Sequence, residues 1–542
     1  MKKLSHILRH PLLLPSTITQ LGSLTAITIF SLCVVTSPGV FAGDKKPPKA
    51  KETKQAAPPS KANDKEKTEE IVDDINLEEL SDELIMLAID DELRRSEAVD
   101  GHRIDVDVDQ GIVTLSGHVS NLLARKVAVG LAERIRGVVS VIDEMVVNPI
   151  AREDEDLAKD ILDALKADPS THHMTIKVDV ERGEVTLSGE VPTHGEKTLV
   201  GEVAMGVKGI TELTNNIAVN SKKELTDNDM QREISELIKY SVLLDDSQIE
   251  VEVKDRKAIL TGKVASAFQR SHADMLAYRG GAKKVDNRGV LVHWRHTDPL
   301  LRTKRYERAT DADILQAVKR TFKYDPRLLS YDPTIKVEHG EVTLTGNVGN
   351  EAAKRAAEMD ARYTIGVHRV NNNLRVRWED KPPTDEQIAE FTRAAIARDP
   401  YVERHNIIVE CQNAHVSLYG LVDTQFDKYH AEWIASRQKG VVHINDYLNV
   451  RKKWKPKSDA AIQADLDKKL AYIFVDPNNQ VSATVKNGVA ILEGTVDSWY
   501  MWQTAIDQAI AAGAREPHNI IQVRYGLPTG PHYYGPHTYI PR

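Results

Sequence analysis

The chain has 542 residues, with 72 Lys and Arg against 80 Asp and Glu for a formal net charge of −8, and it is 41% hydrophobic and 28% charged. That composition is ordinary for a globular protein and excludes collagen-like and wholly disordered chains, and the charge balance excludes a strongly basic nucleic-acid binder. Two cysteines, Cys33 and Cys411, exclude a disulfide-dense scaffold and any multi-cysteine zinc or iron–sulfur site.

At the N-terminus, Lys2, Lys3 and Arg9 precede an apolar run from Leu21 to Val35, then Pro38 and Gly39, then Val40, Phe41 and Ala42. This pattern predicts a secretory signal peptide over residues 1–42 and a periplasmic destination. An uncleaved inner-membrane anchor is the alternative, but the apolar run falls short of the ~20 residues needed to span a bilayer. Leu32 before Cys33 argues against a lipoprotein cysteine. Cleavage leaves Cys411 without a partner for an internal disulfide. Residues 43–76, rich in Lys, Pro, Ala, Asp and Glu without apolar periodicity, are expected to be a disordered charged linker.

The remainder repeats. A short strand ending in glycine recurs at Gly117, Gly189, Gly262, Gly346, Gly420 and Gly494, as in Val113-Thr114-Leu115-Ser116-Gly117 and Val185-Thr186-Leu187-Ser188-Gly189. A second glycine follows each at 19 or 20 residues: Gly137, Gly209, Gly281, Gly366, Gly440 and Gly513. These landmarks divide the chain into six units, 77–150, 151–221, 226–296, 310–378, 384–452 and 458–525, followed by an irregular tail, 526–542.

Within unit two, Leu157, Ile161, Leu162 and Leu165 have helical spacing, and Asp168-Pro169 ends that helix. Ile176, Val178 and Val180 alternate with polar residues, Arg182-Gly183 turns the chain, and Val185 and Leu187 alternate back as a hairpin. A second amphipathic helix follows, clearest in unit one at Leu123, Val127, Leu131 and Ile135. The trailing glycine closes it and a last strand follows, giving α-β-β-α-β with two helices packed on one face of a three-stranded sheet. The strand-ending glycine is expected where the chain turns sharply from strand into helix, and both sets of glycines read as architectural. Arg256-Lys257 and Gln412-Asn413-Ala414 replace the turn glycine in units three and five, which leaves those turns less defined.

The element order, the Val-Thr-Leu-Ser-Gly strand and the trailing glycine resemble the BON domain family, across roughly residues 77–525. The resemblance implies an α+β chain of six tandem small domains that attaches without catalysis to phospholipid surfaces or envelope partners. It also implies, in some members, a chaperone-like role under stress, and it carries no catalytic residues.

The motifs agree with that expectation. There is no His-Glu-x-x-His, Gly-x-Ser-x-Gly or Cys-x-x-Cys. His172-His173 lies near a strand, where adjacent residues are expected to point to opposite faces, Cys411 sits at a hairpin turn without a defined base beside it, and acidic runs such as Glu153 to Asp156 read as solvated helix starts. No catalytic residue, metal site, cofactor, small-molecule substrate or nucleic acid is expected. Charge is uneven: units one and two hold 14 basic against 29 acidic residues, whereas residues 222–542 hold 47 against 43. A polarised rod is the expectation, acidic at the front and neutral to mildly basic behind.

Basic residues and tryptophans gather where the later units join. Trp294, Arg295, Arg302, Lys304 and Arg305 lie between units three and four, Arg377 and Trp378 end unit four, and Arg451, Lys452, Lys453 and Trp454 end unit five. An amphipathic ring flanked by cations suits an anionic membrane interface, although the same rings could instead stiffen the junctions. The leading expectation is an exported adaptor on phospholipid membranes or envelope proteins, in envelope or osmotic stress. A periplasmic holdase and a structural spacer are the alternatives.

Overall fold

The computed structural model describes residues 81–221, 225–293, 304–305, 309–329, 331–377, 382–451, 457–473, 480–496, 498–523, 525–527 and 530–532. The expected signal peptide and linker lie outside the described residues. Each unit contributes two α-helices: α1 (Asp82–Arg95) and α2 (Leu122–Arg134) in unit one, α3 (Asp154–Ala167) and α4 (His194–Met205) in unit two, and α5 (Asp227–Lys239) and α6 (Ala267–Arg279) in unit three. Unit four has α7 (Asp311–Tyr324) and α8 (Glu351–Arg362), unit five α9 (Asp385–Arg398) and α10 (Gln425–Ser436), and unit six α11 (Asp459–Ile473) and α12 (Trp499–Ala512).

A hairpin separates the two helices and a third strand follows them. In unit one, Ile104–Asp109 pairs antiparallel with Ile112–Val119, and Ser140–Val147 pairs parallel with that same central strand. A parallel return needs a crossover, which α2 supplies. The same mixed order holds in every unit, with the last strand interrupted at Asn216 in unit two and at Ile520 in unit six. Val113, Leu115 and Val119 of the central strand are buried, as are their counterparts from Val185, Leu187 and Val191 to Ala490, Leu492 and Val496. In unit one they face Ile85, Ile89 and Leu93, three buried positions at helical spacing on α1. Of the tail, Tyr525–Leu527 pairs with Gly530–His532 as a short antiparallel ribbon.

The strand-ending glycine does not stand at the strand-to-helix turn. Gly117 lies inside Ile112–Val119, with the strand running two residues further and α2 beginning only after its Asn121 cap. Its φ is +108° and a Cβ there would come within 2.2 Å of the Arg103 carbonyl oxygen. Close approach of the first strand, together with left-handed backbone, is therefore what requires glycine.

The acidic residues that start the first helices are not merely solvated. In every unit the first helical residue is an aspartate whose two carboxylate oxygens accept two consecutive N–H groups of the hairpin turn. Asp82 accepts from Gln110 and Gly111 at 2.8 and 2.9 Å, and Asp154 from Arg182 and Gly183 at the same distances. Asp227 holds Asp255 and Arg256, Asp311 holds His339 and Gly340, Asp385 holds Asn413 and Ala414, and Asp459 holds Asn487 and Gly488. The turns of units three and five form without glycine, placing Arg256 and Ala414 both at φ 61°. That conformation costs an L-residue roughly 1–2 kcal/mol, and the charge-assisted pair of hydrogen bonds offsets it.

The units do not run in a rod. One continuous core joins units one, two and five, through residues such as Leu123, Val200 and Ile434. Between units, α2 and α4 both pack on α6, α3 on α9, α5 on α7, and α8 on α10. A helix pair that covers one sheet face still has a second face, and here that face is closed by helices of other units. Ion pairs serve the same closure. Asp168 of unit two holds Arg437 of unit five at 2.6 Å, Glu92 of unit one holds Lys469 of unit six at 2.9 Å, and Glu403 of unit five holds Lys208 of unit two at 3.1 Å. Backbone groups join in: Val242 donates to Tyr363 and Ile365 to Tyr240, which ties unit three to unit four. The buried Tyr401 hydroxyl of unit five donates to the Ala98 carbonyl of unit one at 2.9 Å.

Candidate interaction surfaces

The seam residues meet different fates. Trp294, Arg295, Arg302, Trp378, Lys452, Lys453 and Trp454 lie outside the described residues. Lys304 and Arg377 are exposed. Arg305 is turned inward, donating to the carbonyls of Leu244 and Ser247 at 2.5 and 2.8 Å, so it anchors the linker to unit three instead of facing a surface. Arg451 is 64% exposed and pairs with Asp423 at 2.9 Å. Among the described residues these cations form no common cluster.

A surface that the seams did not suggest lies on the outer sheet face of unit five. Its central strand, His415–Val422, alternates buried Val416 and Leu418 with outward residues, and the register aligns Ile408, Tyr419 and Tyr447 in one row across the three strands. Ile408 is 54% exposed, Tyr419 37%, Tyr447 55%, and the neighbouring Leu421 43%. The two tyrosine rings stack with centroids 5.1 Å apart and an interplanar angle of 12°. His415 and His443 sit four residues earlier on the same strands, with ring centroids 5.5 Å apart. Arg451 follows the last strand, its N–H donating to Val422 at 2.7 Å.

The equivalent row is polar or small in the other units. Unit one has Asp105, Ser116 and Glu144 there, unit three Glu250, Thr261 and Gly289, and unit four Thr334, Thr345 and Asn373. Units two and six carry Lys177 with Ser188 and Ser482 with Glu493. An outward aromatic row on a fold that does not need one is a surface feature of unit five alone. The signal was in the repeat: the residue before the strand glycine is Ser, Ser, Thr, Thr and Glu elsewhere, and Tyr419 here.

The other sequence candidates are accounted for by local contacts. Cys411 lies on Ile408–Gln412 next to the turn, its thiol donating to Asp385 at 3.5 Å, and burial followed by that hydrogen bond pushes it up to about 12, which makes it a poor nucleophile at neutral pH. The rings of His172 and His173 are edge-on with centroids 5.6 Å apart, and His172 is engaged with the Pro169 carbonyl. Among the described residues no group of three or more His, Cys, Asp or Glu is placed to hold a metal, and no helix is long and apolar enough to cross a membrane.

The fold defines a protein built from six copies of one small α+β module. Residues 81–149, 153–221, 226–291, 310–377, 384–452 and 458–525 each match the BON domain, and the chain belongs to that family. It is similar to Osmotically-inducible protein Y of Escherichia coli (strain K12), 27% identical over 146 residues that cover 26% of this chain and 73% of that protein. Two structures of CdsD, a structural protein of the type III secretion system of Chlamydia trachomatis, are 15% and 17% identical. They cover 39% and 41% of this chain and 91% and 100% of theirs, with a TM-score of 0.11 in both cases.

Proposed function

We propose that this chain is an exported, non-catalytic envelope adaptor that docks on a phospholipid surface through the outer face of unit five and works in envelope or osmotic stress. The observation that carries the reading is the exposed row Ile408, Tyr419 and Tyr447 with Leu421 beside it, in a position that is polar or small elsewhere in the same chain. Amphipathic rings settle at the headgroup level of a bilayer, and an adjoining cation near an anionic surface contributes about 1 kcal/mol. Arg451, which is 64% exposed although paired with Asp423, follows the last strand of unit five, and Arg377 and Lys304 are exposed basic groups of the later units. The predicted signal peptide supports a periplasmic location, and the similarity to an osmotically inducible protein supports the stress setting. A spacer needs its units in series, and ion pairs such as Asp168 with Arg437 fold the series back on itself.

Sedimentation of residues 43–542 with phosphatidylcholine vesicles, with and without phosphatidylglycerol, at low and high salt, tests the reading. The wild-type chain is expected to pellet with anionic vesicles at low salt, and the double variant Tyr419→Ser, Tyr447→Asn to remain in solution. A wild-type chain that ignores anionic vesicles at low salt removes the membrane reading. Suppression of aggregation of a heat-unfolded client without lipid binding favours a holdase.

A further inference from the structure

A cleft of about 120 Å³ opens where units one, three and six meet. Two helices present the same three positions to it. From α6 come the N-cap Ser266 and the second and third helical residues, Phe268 and Gln269; from α12 come the N-cap Ser498 with Tyr500 and Met501. Each cap hydroxyl accepts the N–H of the third helical residue, Gln269 at 3.2 Å and Met501 at 3.3 Å. The earlier N–H groups of each first turn have no intrahelical acceptor, and helices of 13 and 14 residues both direct the positive ends of their dipoles here.

Arg134, the last residue of α2, forms the third wall. Its guanidinium lies 4.8 Å above the Phe268 ring, and it makes no hydrogen bond or ion pair among the described residues. Its Nε is fully buried with no partner. Two carboxyls act on Arg134, Glu133 of the same helix and Asp507 of unit six; burial raises both, Asp507 to about 7, so neither fully neutralises the guanidinium near neutral pH. Asp245 also lines the cleft and is engaged in an interaction of its own. An unpaired guanidinium held rigid on an aromatic face, facing two capped helix starts, is a set of groups that attracts a tetrahedral oxyanion.

We propose that this junction is a binding site for a phosphate group, carried by a small soluble molecule or by a lipid headgroup. Arg134 donates to two phosphate oxygens, the first-turn N–H groups of α6 and α12 donate to the others, and Tyr500 and Met501 cover whatever the phosphate carries. The site exists only when units one, three and six are assembled, so an occupant also fastens them together. The inference does not depend on the membrane role of unit five, which lies elsewhere on the chain.

The test uses residues 43–542 with inorganic phosphate as the probe, titrated by calorimetry and followed as a rise in melting temperature, with chloride at matched ionic strength as the reference. Wild type is expected to be stabilised by phosphate over chloride, Arg134→Gln to weaken phosphate binding at least about tenfold, and Arg134→Lys to fall between. Arg182→Gln, which removes an equally basic but 84% exposed side chain, is expected to behave as wild type. Circular dichroism and the Arg134→Lys result distinguish a lost site from a lost fold. In a vesicle arm, weaker binding of Arg134→Gln to phosphatidylglycerol vesicles identifies a headgroup as the occupant; unchanged vesicle binding with a lost phosphate response identifies a soluble one. Absence of any phosphate-specific effect in wild type, or an equal effect in Arg134→Gln, overturns the proposal.

Discussion

Replacing Asp385 by alanine strips both acceptors from a turn that has no glycine. Asn413 and Ala414 donate to its carboxylate at 2.8 Å each while sitting at φ 53° and 61°. A hydrogen bond to a charged group contributes ~1.5–3 kcal/mol when buried. Asp385 is half-buried, so the pair is discounted to about 2 kcal/mol, equivalent to a roughly 30-fold increase in local opening. Hydrogen exchange read by mass spectrometry on the hairpin peptide 408–422 is the direct assay, because a six-unit chain need not unfold in one step. Asp385→Asn, which keeps one acceptor oxygen, is expected to lose about half the effect. Ala414→Gly in the otherwise wild-type chain is expected to slow exchange, since relief of the left-handed strain outweighs the added freedom of the unfolded chain by up to ~1 kcal/mol. The two N–H groups hold the Asp385 carboxyl below its ordinary range, with Ala414 the larger influence. Its contribution is therefore present above the unfolded carboxyl value near pH ~4 and is lost as pH falls through the lower folded value. Hairpin protection unchanged in a folded Asp385→Ala chain would refute the latch.

Three further outcomes follow from the same contacts. Asp507→Asn is expected to raise the melting temperature at pH 8 and do little at pH 5. Burial raises its folded value to about 7, so unfolding releases a proton and stability falls as pH rises from about 4 to about 7; a variant with the wild-type pH slope contradicts this. Arg437→Ala leaves Oδ2 of Asp168, a side chain 10% exposed, without the two guanidinium N–H groups that donate to it, and is expected to cost about 3 kcal/mol, seen as loss of protection at both α3 and α10. Tyr401→Phe removes the hydroxyl that donates to Ala98 and is expected to cost about 1 kcal/mol, read by calorimetry.

Repetition made the unit legible, because six copies of one strand with one glycine are a stronger signal than any single amphipathic stretch. The glycine's mechanism was not legible: which backbone approaches Gly117 depends on Arg103, the residue just before the neighbouring strand. The latch was present in the spacing, since Asp82, Asp154, Asp227, Asp311, Asp385 and Asp459 all stand 35 residues before their strand glycine. An acidic helix start has a sufficient local explanation in the helix dipole, which hid the longer contact. Arg305 illustrates the opposite error, a basic seam residue that is engaged by two carbonyls of its own chain. Closure of the units on each other had no local signature, because Asp168 and Arg437 are 269 positions apart and nothing in either neighbourhood names the other. The aromatic row of unit five was visible as a departure from the repeat at Tyr419, but its alignment with Ile408 and Tyr447 required the register.

Small-angle X-ray scattering of residues 77–525 tests most directly whether the six units form one body. A compact chain of that length has a radius of gyration of about 22 Å, and a single-peaked distance distribution near that size is the predicted result. A radius approaching twice that value, with the distance distribution of beads in a line, would contradict the closure on which both the core shared by units one, two and five and the phosphate cleft between units one, three and six depend.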